Sequence, residues 1–228
     1  MSTVTFTAQP LSPDFGASIQ HDINQATEEL LRSLPALEHL SAAERRGIIA
    51  RYTAVLEGNF IYWMTGAYLS VKSEEARAII LDNLLEEVRD SHPRMLRTFA
   101  ICAHAVPTDT DANAVYEDLT NVRLFVGRLS ACRIITMMAF FEGFIQKFMA
   151  YLADLARAQG SSEFEYTDVH GVCDVVHTQE LFHALAAEQT LHPVESTAEL
   201  FEGVDLLRKL IQTVVEPAVH GKVLTASN

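Results

Sequence analysis

The chain of 228 residues is poor in cysteine, in basic side chains and in long apolar runs. Its three cysteines, Cys102, Cys132 and Cys173, are an odd, widely spaced set without a Cys-x-x-Cys pair, which predicts reduced, buried thiols in a cytoplasmic protein. Seventeen Lys and Arg against thirty Asp and Glu give a net charge of −13, which argues against nucleic acid or an anionic membrane as partner. The most apolar run, Ile134–Phe141, is too short to span a bilayer.

Hydrophobic residues still make up 49% of the chain, enough for one sizeable core and too many for a disordered protein. Residues 1–16 are rich in Ser, Thr and Pro and lack the pattern of a signal peptide, so we expect a flexible N-terminus there and one helical domain over residues 17–222. Helical spacing of apolar residues, without strand-like alternation, predicts an all-α, single-domain bundle of about seven helices. The predicted helices are Ser18–Leu34, a long helix from a Ser41 capping box to about Leu69, Glu74–Ser91, Met95–Ala105, about Val115–Ala158 with an interruption near Gly127 left open, Tyr166–Gln189 and Ser196–Val215.

The sharpest local signal is the triplet His170-x3-Asp174-x2-His177. At about 100° per residue, Asp174 lies about 40° from His170 on a helix, and His177 lies about 20° away on the other side. Three side chains that can bind metal therefore share one stripe across two helical turns. Taken alone, the triplet is equally compatible with a solvated polar face.

Two carboxylates in apolar surroundings favour the metal interpretation. Glu142 directly follows the most apolar run, so its burial requires protonation, an ion pair or a bound metal. An ion pair with Arg128 or Arg133 is the alternative for this residue. Glu87 borders the apolar stripe of its predicted helix, whereas Glu86 points further out.

His92 follows Glu87 by five residues, about 140° around an ideal helix, and reaches the same site only if the helix distorts. Pro93 supplies a reason for distortion, because proline disfavours α geometry in the residue before it. The alternative role for His92 is as a partner of the negative helix C-terminus.

Three carboxylates and three imidazoles on three or four helices suit two first-row transition metals in the centre of a bundle. Two divalent ions would leave a net charge near +1. Structural zinc sites would use more cysteine and magnesium would use little histidine, so iron is the expected metal, with manganese as the alternative. The six expected ligands are Glu87, His92, Glu142, His170, Asp174 and His177.

The ordered combination of Asn83-Leu84-Leu85-Glu86-Glu87, His92, Glu142 and the His170 triplet resembles the heme-oxygenase-like diiron oxidases and oxygenases, over about residues 51–188. The resemblance implies a seven-helix scaffold, shared with heme oxygenase and thiaminase II, in which the same six side chains ligate two iron ions. It also implies O2 as co-substrate, an external reductant, and oxidation of a small substrate that carries an amine or a carboxylate. Members of the family have a longer gap before the histidine, so Asp90 is a rival to His92 as ligand.

Glu57 lies in another apolar helix. N-oxygenating members of the family carry an additional upstream carboxylate ligand, and the resemblance makes Glu57 the candidate for this catalytic role or for a contact with a substrate amine. A salt bridge with Arg51 or with another helix is the alternative. Candidates for binding a substrate carboxylate are Arg123, Arg128 and Arg133. Candidates for outer partners of the metal-binding histidines are Glu180 and His183.

These features predict a cytoplasmic non-heme diiron oxygenase that N-oxygenates a small amine or amino-acid derivative in a biosynthetic pathway. Oxidative C–C cleavage, desaturation or decarboxylation at the same site is the alternative within this class. Two other hypotheses about the function stay open: a metal-free helical interaction or regulatory protein, and an oxidase that oxidises its own Tyr62 or Tyr166. We expect a small-molecule substrate as partner, expect neither nucleic acid nor membrane, and leave a homodimer open.

Overall fold

The computed structural model describes residues 13–191 and 197–216, and all regular structure in these ranges is helical. This confirms the all-α prediction. Expectations for residues 1–12, for Ser196 and for residues 217–222 lie outside the described residues. The helices are α1 Pro13–Arg32, α2 Ala42–Leu56, α3 Asn59–Ser70, α4 Glu74–Arg89, α5 His92–Cys102, α6 Asp109–Val126, α7 Ala131–Ala158, α8 Glu165–Leu191 and α9 Thr197–Val215, with a short 3-10 turn at Leu37–His39.

The described residues form nine α-helices rather than about seven, because both long predicted helices are broken. The first breaks at Gly58, whose φ of 82° is left-handed and ends α2. The second breaks after Gly127, where Leu129 takes a left-handed φ of 53° before α7 begins. Each break turns one continuous apolar pattern into two packed segments.

The predicted capping box at Ser41 and the predicted helix start at Glu74 are confirmed by hydrogen bonds of Ser41 and Ser73. The Ser41 backbone N–H donates to the Glu44 carboxylate at 2.7 Å, and the Glu44 backbone N–H donates to the Ser41 hydroxyl at 3.3 Å. The Ser73 hydroxyl accepts from the third backbone N–H of α4. Glu188 of α8 also accepts from the Ser73 N–H at 2.8 Å, so α8 is fastened to the start of α4.

Helix α7 runs through the centre of the bundle and packs against α1, α2, α3, α8 and α9. Its Phe140, Phe144 and Phe148 are fully buried and stack along the helix, with the last two ring centroids 5.0 Å apart. Burying one such ring stabilises the fold by roughly 1.5–3 kcal/mol. This apolar helix therefore anchors the bundle, and any charged group on its buried face must be neutralised inside the core.

The three cysteines are free thiols, but their burial differs from the sequence expectation. Cys132 is buried and Cys173 is half-buried, whereas Cys102 is exposed at the end of α5. The expectation of three buried thiols was therefore wrong for Cys102, which lies on the outward side of its helix. In the described part of the chain, no helix has both the length and the apolarity that crossing a membrane requires.

Candidate metal centre

The structure brings the six predicted ligand side chains to one place in the bundle. They come from four helices, and each is at most 6% exposed. Helix α8 packs against α4, α5 and α7, so its polar stripe faces the residues that the other three contribute. The contributions are Glu87 from α4, His92 from α5, Glu142 from α7, and His170, Asp174 and His177 from α8.

One group of donors consists of Glu87, His92 and His170, which offer ligand atoms within 4.8 Å of one another. His92 Nδ1 lies 2.7 Å from Glu87 Oε1, and the two imidazole rings pack edge to face with centroids 4.5 Å apart. His170 Nδ1 donates to the Tyr166 carbonyl at 2.8 Å. This bond leaves the Nε2 lone pair of His170 available for a metal.

The second group consists of Cys173, Asp174 and His177, whose donor atoms also lie within 4.8 Å of one another. His177 Nδ1 is 3.9 Å from Asp174 Oδ1 and 3.9 Å from Glu142 Oε2. The Cys173 thiol donates to Asp174 Oδ1 at 3.1 Å. Asp174 Oδ2 is buried and accepts no hydrogen bond from the described residues, as expected for an oxygen whose partner is a cation.

Glu142 and Asp174 are destabilised as anions in the absence of a cation. Burial, and then repulsion from Asp174 and Glu87, raise the pKa of Glu142 well above its ordinary value. Burial is also the main cause that raises the pKa of Asp174, to about 7. Two divalent cations between these oxygens would remove the repulsion, so the residues present fit a dinuclear metal site.

The arginines that were considered as alternative ion-pair partners of Glu142 are engaged elsewhere. Arg128 pairs with Glu202 at 2.6 Å, and Arg133 pairs with Glu199 and Glu202. The ion-pair alternative for Glu142 is therefore wrong for both arginines. The third candidate for binding a substrate carboxylate, Arg123, donates to the Asn59 side chain at 2.7 Å.

The histidines near the first group differ in their ionisation. Burial lowers the pKa of His170 to about 4, so its ring is neutral near pH 7 and can act as a ligand. Burial also acts to lower the pKa of His92, but the hydrogen bond and charge of Glu87 outweigh it and raise the pKa above its usual value. A bound cation would replace the hydrogen bond between His92 and Glu87, because both side chains would then coordinate the metal.

A break between α4 and α5 brings His92, rather than Asp90, into this cluster. Helix α4 ends at Arg89, Ser91 takes a left-handed φ of 62°, and His92 is the first residue of α5. Asp90 is exposed and pairs with Arg89 at 3.4 Å. The distortion expected at His92 itself therefore falls one residue earlier, and Pro93 acts as an early helix residue.

Glu57 lies apart from the six-residue cluster. It follows the last residue of α2, is half-buried, and forms an ion pair with Arg97 of α5. Arg51, the partner considered from the sequence, instead donates to the backbone carbonyls of Val214 and Glu216. The structure thus joins Glu57 to a neighbouring helix, and its predicted role as ligand or amine contact stays a prediction.

A pocket leads to the cluster from the solvent. The pocket is narrow, with a cavity volume of about 30 Å³. Five of the six predicted ligands line it, with no Lys or Arg among the described residues of its wall. The other lining residues are apolar or aromatic: Tyr52, Leu56, Phe60, Ile61, Pro93, Leu96, Phe141, Ile145 and Tyr166.

Two partners in this region were missed by the sequence reasoning. Glu86 was expected to point outward, yet its Oε2 lies 2.9 Å from His177 Nε2. Tyr52 was not singled out, although its hydroxyl lies 2.8 Å from that of Tyr166. The adjacent Glu86-Glu87 pair was the available signal for the first, whereas nothing in the spacing of Tyr52 distinguishes it from an ordinary core residue.

Comparison with known protein families gives one match. The sequence profile of a family described as iron-containing redox enzyme matches residues 49–210, which include all six cluster residues and the pocket. No curated protein and no solved structure matches the chain.

Proposed function

The chain belongs to a family of iron-containing redox enzymes, and from this membership we propose that it is a non-heme diiron oxygenase acting on a small amine or amino-acid-derived substrate. Family membership makes the protein an iron-dependent oxidoreductase. The number of irons, the use of O2 and the substrate class are the parts that we propose.

The observation that carries the diiron assignment is the set of three buried carboxylates with no Lys or Arg among the described residues of their pocket wall. A single divalent cation would leave this set with a net negative charge in the core. Two cations bring the charge near +1, and the six donors supply three ligands for each ion on average. The unpartnered Asp174 Oδ2 supports the same assignment.

The two donor groups indicate which residues would hold each ion. Glu87, His92 and His170 would hold one ion, and Asp174 and His177 the other. Glu142 would complete the set: its Oε2 lies 3.9 Å from His177 Nδ1 of the second group, and, after burial, the charges of Asp174 and Glu87, one from each group, act to raise its pKa. When bound, two Fe(II) ions would supply electrons for the activation of O2.

The chain's own contribution to catalysis would be to hold a substrate against this cluster and to exclude water. The aromatic and aliphatic wall of the pocket provides an apolar surface for the substrate body, while its polar groups are the ligand side chains and the hydroxyls of Tyr52 and Tyr166. A primary amine would become a hydroxylamine: the substrate and O2, with two electrons and two protons from an external reductant, give the N-hydroxy product and water. Oxidative C–C cleavage or decarboxylation at the same site is the alternative.

A second candidate is oxidation of the protein's own Tyr166. Its ring lies against that of His170, with centroids 4.3 Å apart, so it is in contact with a proposed ligand. Tyr62, the other residue considered, is half-exposed, and its hydroxyl lies 3.4 Å from the Arg123 carbonyl. Self-oxidation, if it occurs, is therefore expected at Tyr166.

The test is O2 uptake by protein loaded anaerobically with Fe(II), in the presence of a reductant and a panel of primary amines and amino acids. The proposal predicts amine-dependent O2 uptake and a product that gains one oxygen atom on nitrogen. A product that has lost CO2 would favour the decarboxylase alternative, and a protein that gains mass without any substrate would favour self-oxidation. The His177→Ala variant should consume no O2, whereas Asp82→Ala, an exposed change on α4, should behave as the parent; O2 uptake by His177→Ala equal to that of the parent would contradict the proposal.

A further inference from the structure

The imidazole of His177 is engaged on both sides. Its Nε2 lies 2.9 Å from Glu86 Oε2, and its Nδ1 faces Asp174 Oδ1 and Glu142 Oε2 at 3.9 Å each. The ring is 3% exposed, whereas the Glu86 side chain is 44% exposed. Glu86 therefore reaches in from the surface and contacts the outer edge of a histidine whose inner edge faces the cluster.

The hydrogen-bond partner of His177 indicates which ring nitrogen carries the proton. A carboxylate only accepts, so the neutral ring must carry its proton on Nε2 and donate it to Glu86. The lone pair then lies on Nδ1, which faces two carboxylate oxygens. That arrangement brings together three electron-rich atoms, and it becomes favourable when a cation lies between them.

We propose that Glu86 is a positioning residue for the metal centre, which holds His177 in the tautomer and orientation that present Nδ1 to the second metal ion. The inference rests on the proposed dinuclear site. It adds Glu86 as a residue outside the ligand set, and it names Nδ1 as the ligand atom of His177. The two histidines of α8 would then coordinate through different nitrogens, since His170 spends its Nδ1 on a backbone carbonyl.

The position of Glu86 on α4 explains how one helix serves two purposes. Successive residues on a helix point about 100° apart, so Glu86 and Glu87 approach α8 from different sides. Glu87 enters the cluster, while Glu86 passes along its edge to the far side of His177. The Ser73 N–H donates a hydrogen bond to Glu188 and so holds the other end of α4 against α8. The two helices therefore keep the alignment that the contact between Glu86 and His177 needs.

The first test measures metal affinity by titration of the full chain with Co(II) alone. Glu86→Ala is expected to weaken binding of the second Co(II) about 10–100-fold, the usual effect of losing an outer carboxylate partner of a metal-binding histidine. Glu86→Gln keeps an oxygen that accepts from Nε2 and should lose only a few-fold. Asp82→Ala removes an exposed carboxylate one turn earlier on the same helix and should bind as the parent.

A double-mutant cycle separates positioning from a general loss of negative charge. In a His177→Ala background, Glu86→Ala should cause no further change in Co(II) affinity. In the metal-free parent, ¹⁵N-detected histidine spectra should show the proton of His177 on Nε2, and Glu86→Ala should shift the ring toward a mixture of tautomers.

The outcomes keep this inference distinct from the proposed function. A parent that binds no second metal overturns the proposed function, and this inference with it. A parent that binds two metals while Glu86→Ala binds them equally well overturns this inference alone. Two further outcomes would also overturn this inference alone. One is an effect of Glu86→Ala on Co(II) affinity that persists undiminished in the His177→Ala background. The other is a His177 proton on Nδ1 in the metal-free parent.

Discussion

At the scale of single residues, the burial of Glu142 is the strongest indication that a cation binds in the bundle. This carboxyl group directly follows the most apolar run of the chain, is 3% exposed, and faces Asp174 and Glu87 rather than an arginine. A buried acid in such a place costs stability in the metal-free protein and gains its use only when a cation binds. Stability and metal binding should therefore respond to the same substitution with opposite signs.

Glu142→Gln tests this opposition. Without metal, in the presence of a chelator at pH 8, the variant should be more stable than the parent by about 1–2 kcal/mol, because it removes a carboxyl whose pKa is raised by burial and by like charges. Thermal unfolding followed by circular dichroism should show a Tm increase of about 2–8 °C. With Fe(II) present the order should reverse.

The control for this substitution is Glu75→Gln, an exposed change on α4 that should leave both values unchanged. A metal-free Glu142→Gln protein less stable than the parent would mean that the carboxylate stabilises the fold by itself. That result would contradict the role assigned to the residue.

Glu57 raises a separate question at this scale, because it pairs with Arg97 beside the pocket. A partly exposed ion pair contributes at most about 1 kcal/mol, so Glu57→Ala and Arg97→Ala should both fold with nearly parental stability. If Glu57 contacts the amine or the metal, Glu57→Ala should lower amine turnover about tenfold or more, whereas Arg97→Ala should leave turnover within a few-fold. Steady-state O2 uptake distinguishes the two. Equal losses in both variants would assign Glu57 to the ion pair alone.

At the scale of helices, the sequence predicted where apolar faces lie better than where helices break. The capping box at Ser41 and both ends of α8 were predicted to within two residues, since capping residues and apolar periodicity are local signals. The breaks at Gly58 and Leu129 depend on left-handed residues inside continuous apolar patterns. The interruption near Gly127 was left open from the sequence, whereas the break at Gly58 was not predicted, because tertiary packing rather than local propensity selects it.

The break at Ser91 is the one on which the metal centre depends, because it turns His92 back toward Glu87. Ser91→Gly suits the left-handed conformation and should raise stability by about 0.5–1 kcal/mol without changing metal affinity. Ser91→Val should lower stability by about 1–2 kcal/mol, since a β-branched residue is strained there, and should also weaken metal binding by displacing His92.

Leu129→Val introduces the same strain at a left-handed position between α6 and α7, away from the cluster. It should lower stability without lowering metal affinity, as measured by urea unfolding and by Fe(II) titration. Equal metal affinities for Ser91→Val and Ser91→Gly would show that the break does not position His92.

At the scale of the whole molecule, the net charge of −13 divides into two populations. Most acidic side chains are exposed or paired with surface cations, as in Glu28 with Lys147 and Glu29 with Arg208. Glu87, Glu142 and Asp174 are buried together at the junction of four helices. The sequence identified Glu87 and Glu142 by their apolar surroundings and Asp174 by its helical spacing from His170 and His177. It missed Glu86, whose role depends on how α4 and α8 are aligned.

The central claim is that these helices form a site for two iron ions, and anaerobic titration with Fe(II) tests it most directly. The account predicts saturation at two equivalents per chain for the parent and loss of at least one equivalent in Glu142→Ala and in His177→Ala. Bound iron should also raise the Tm, because a ligand at 100 times its Kd adds about 2.7 kcal/mol to the free energy of unfolding. A parent that binds no Fe(II), or variants that bind two equivalents as tightly as the parent, would contradict it.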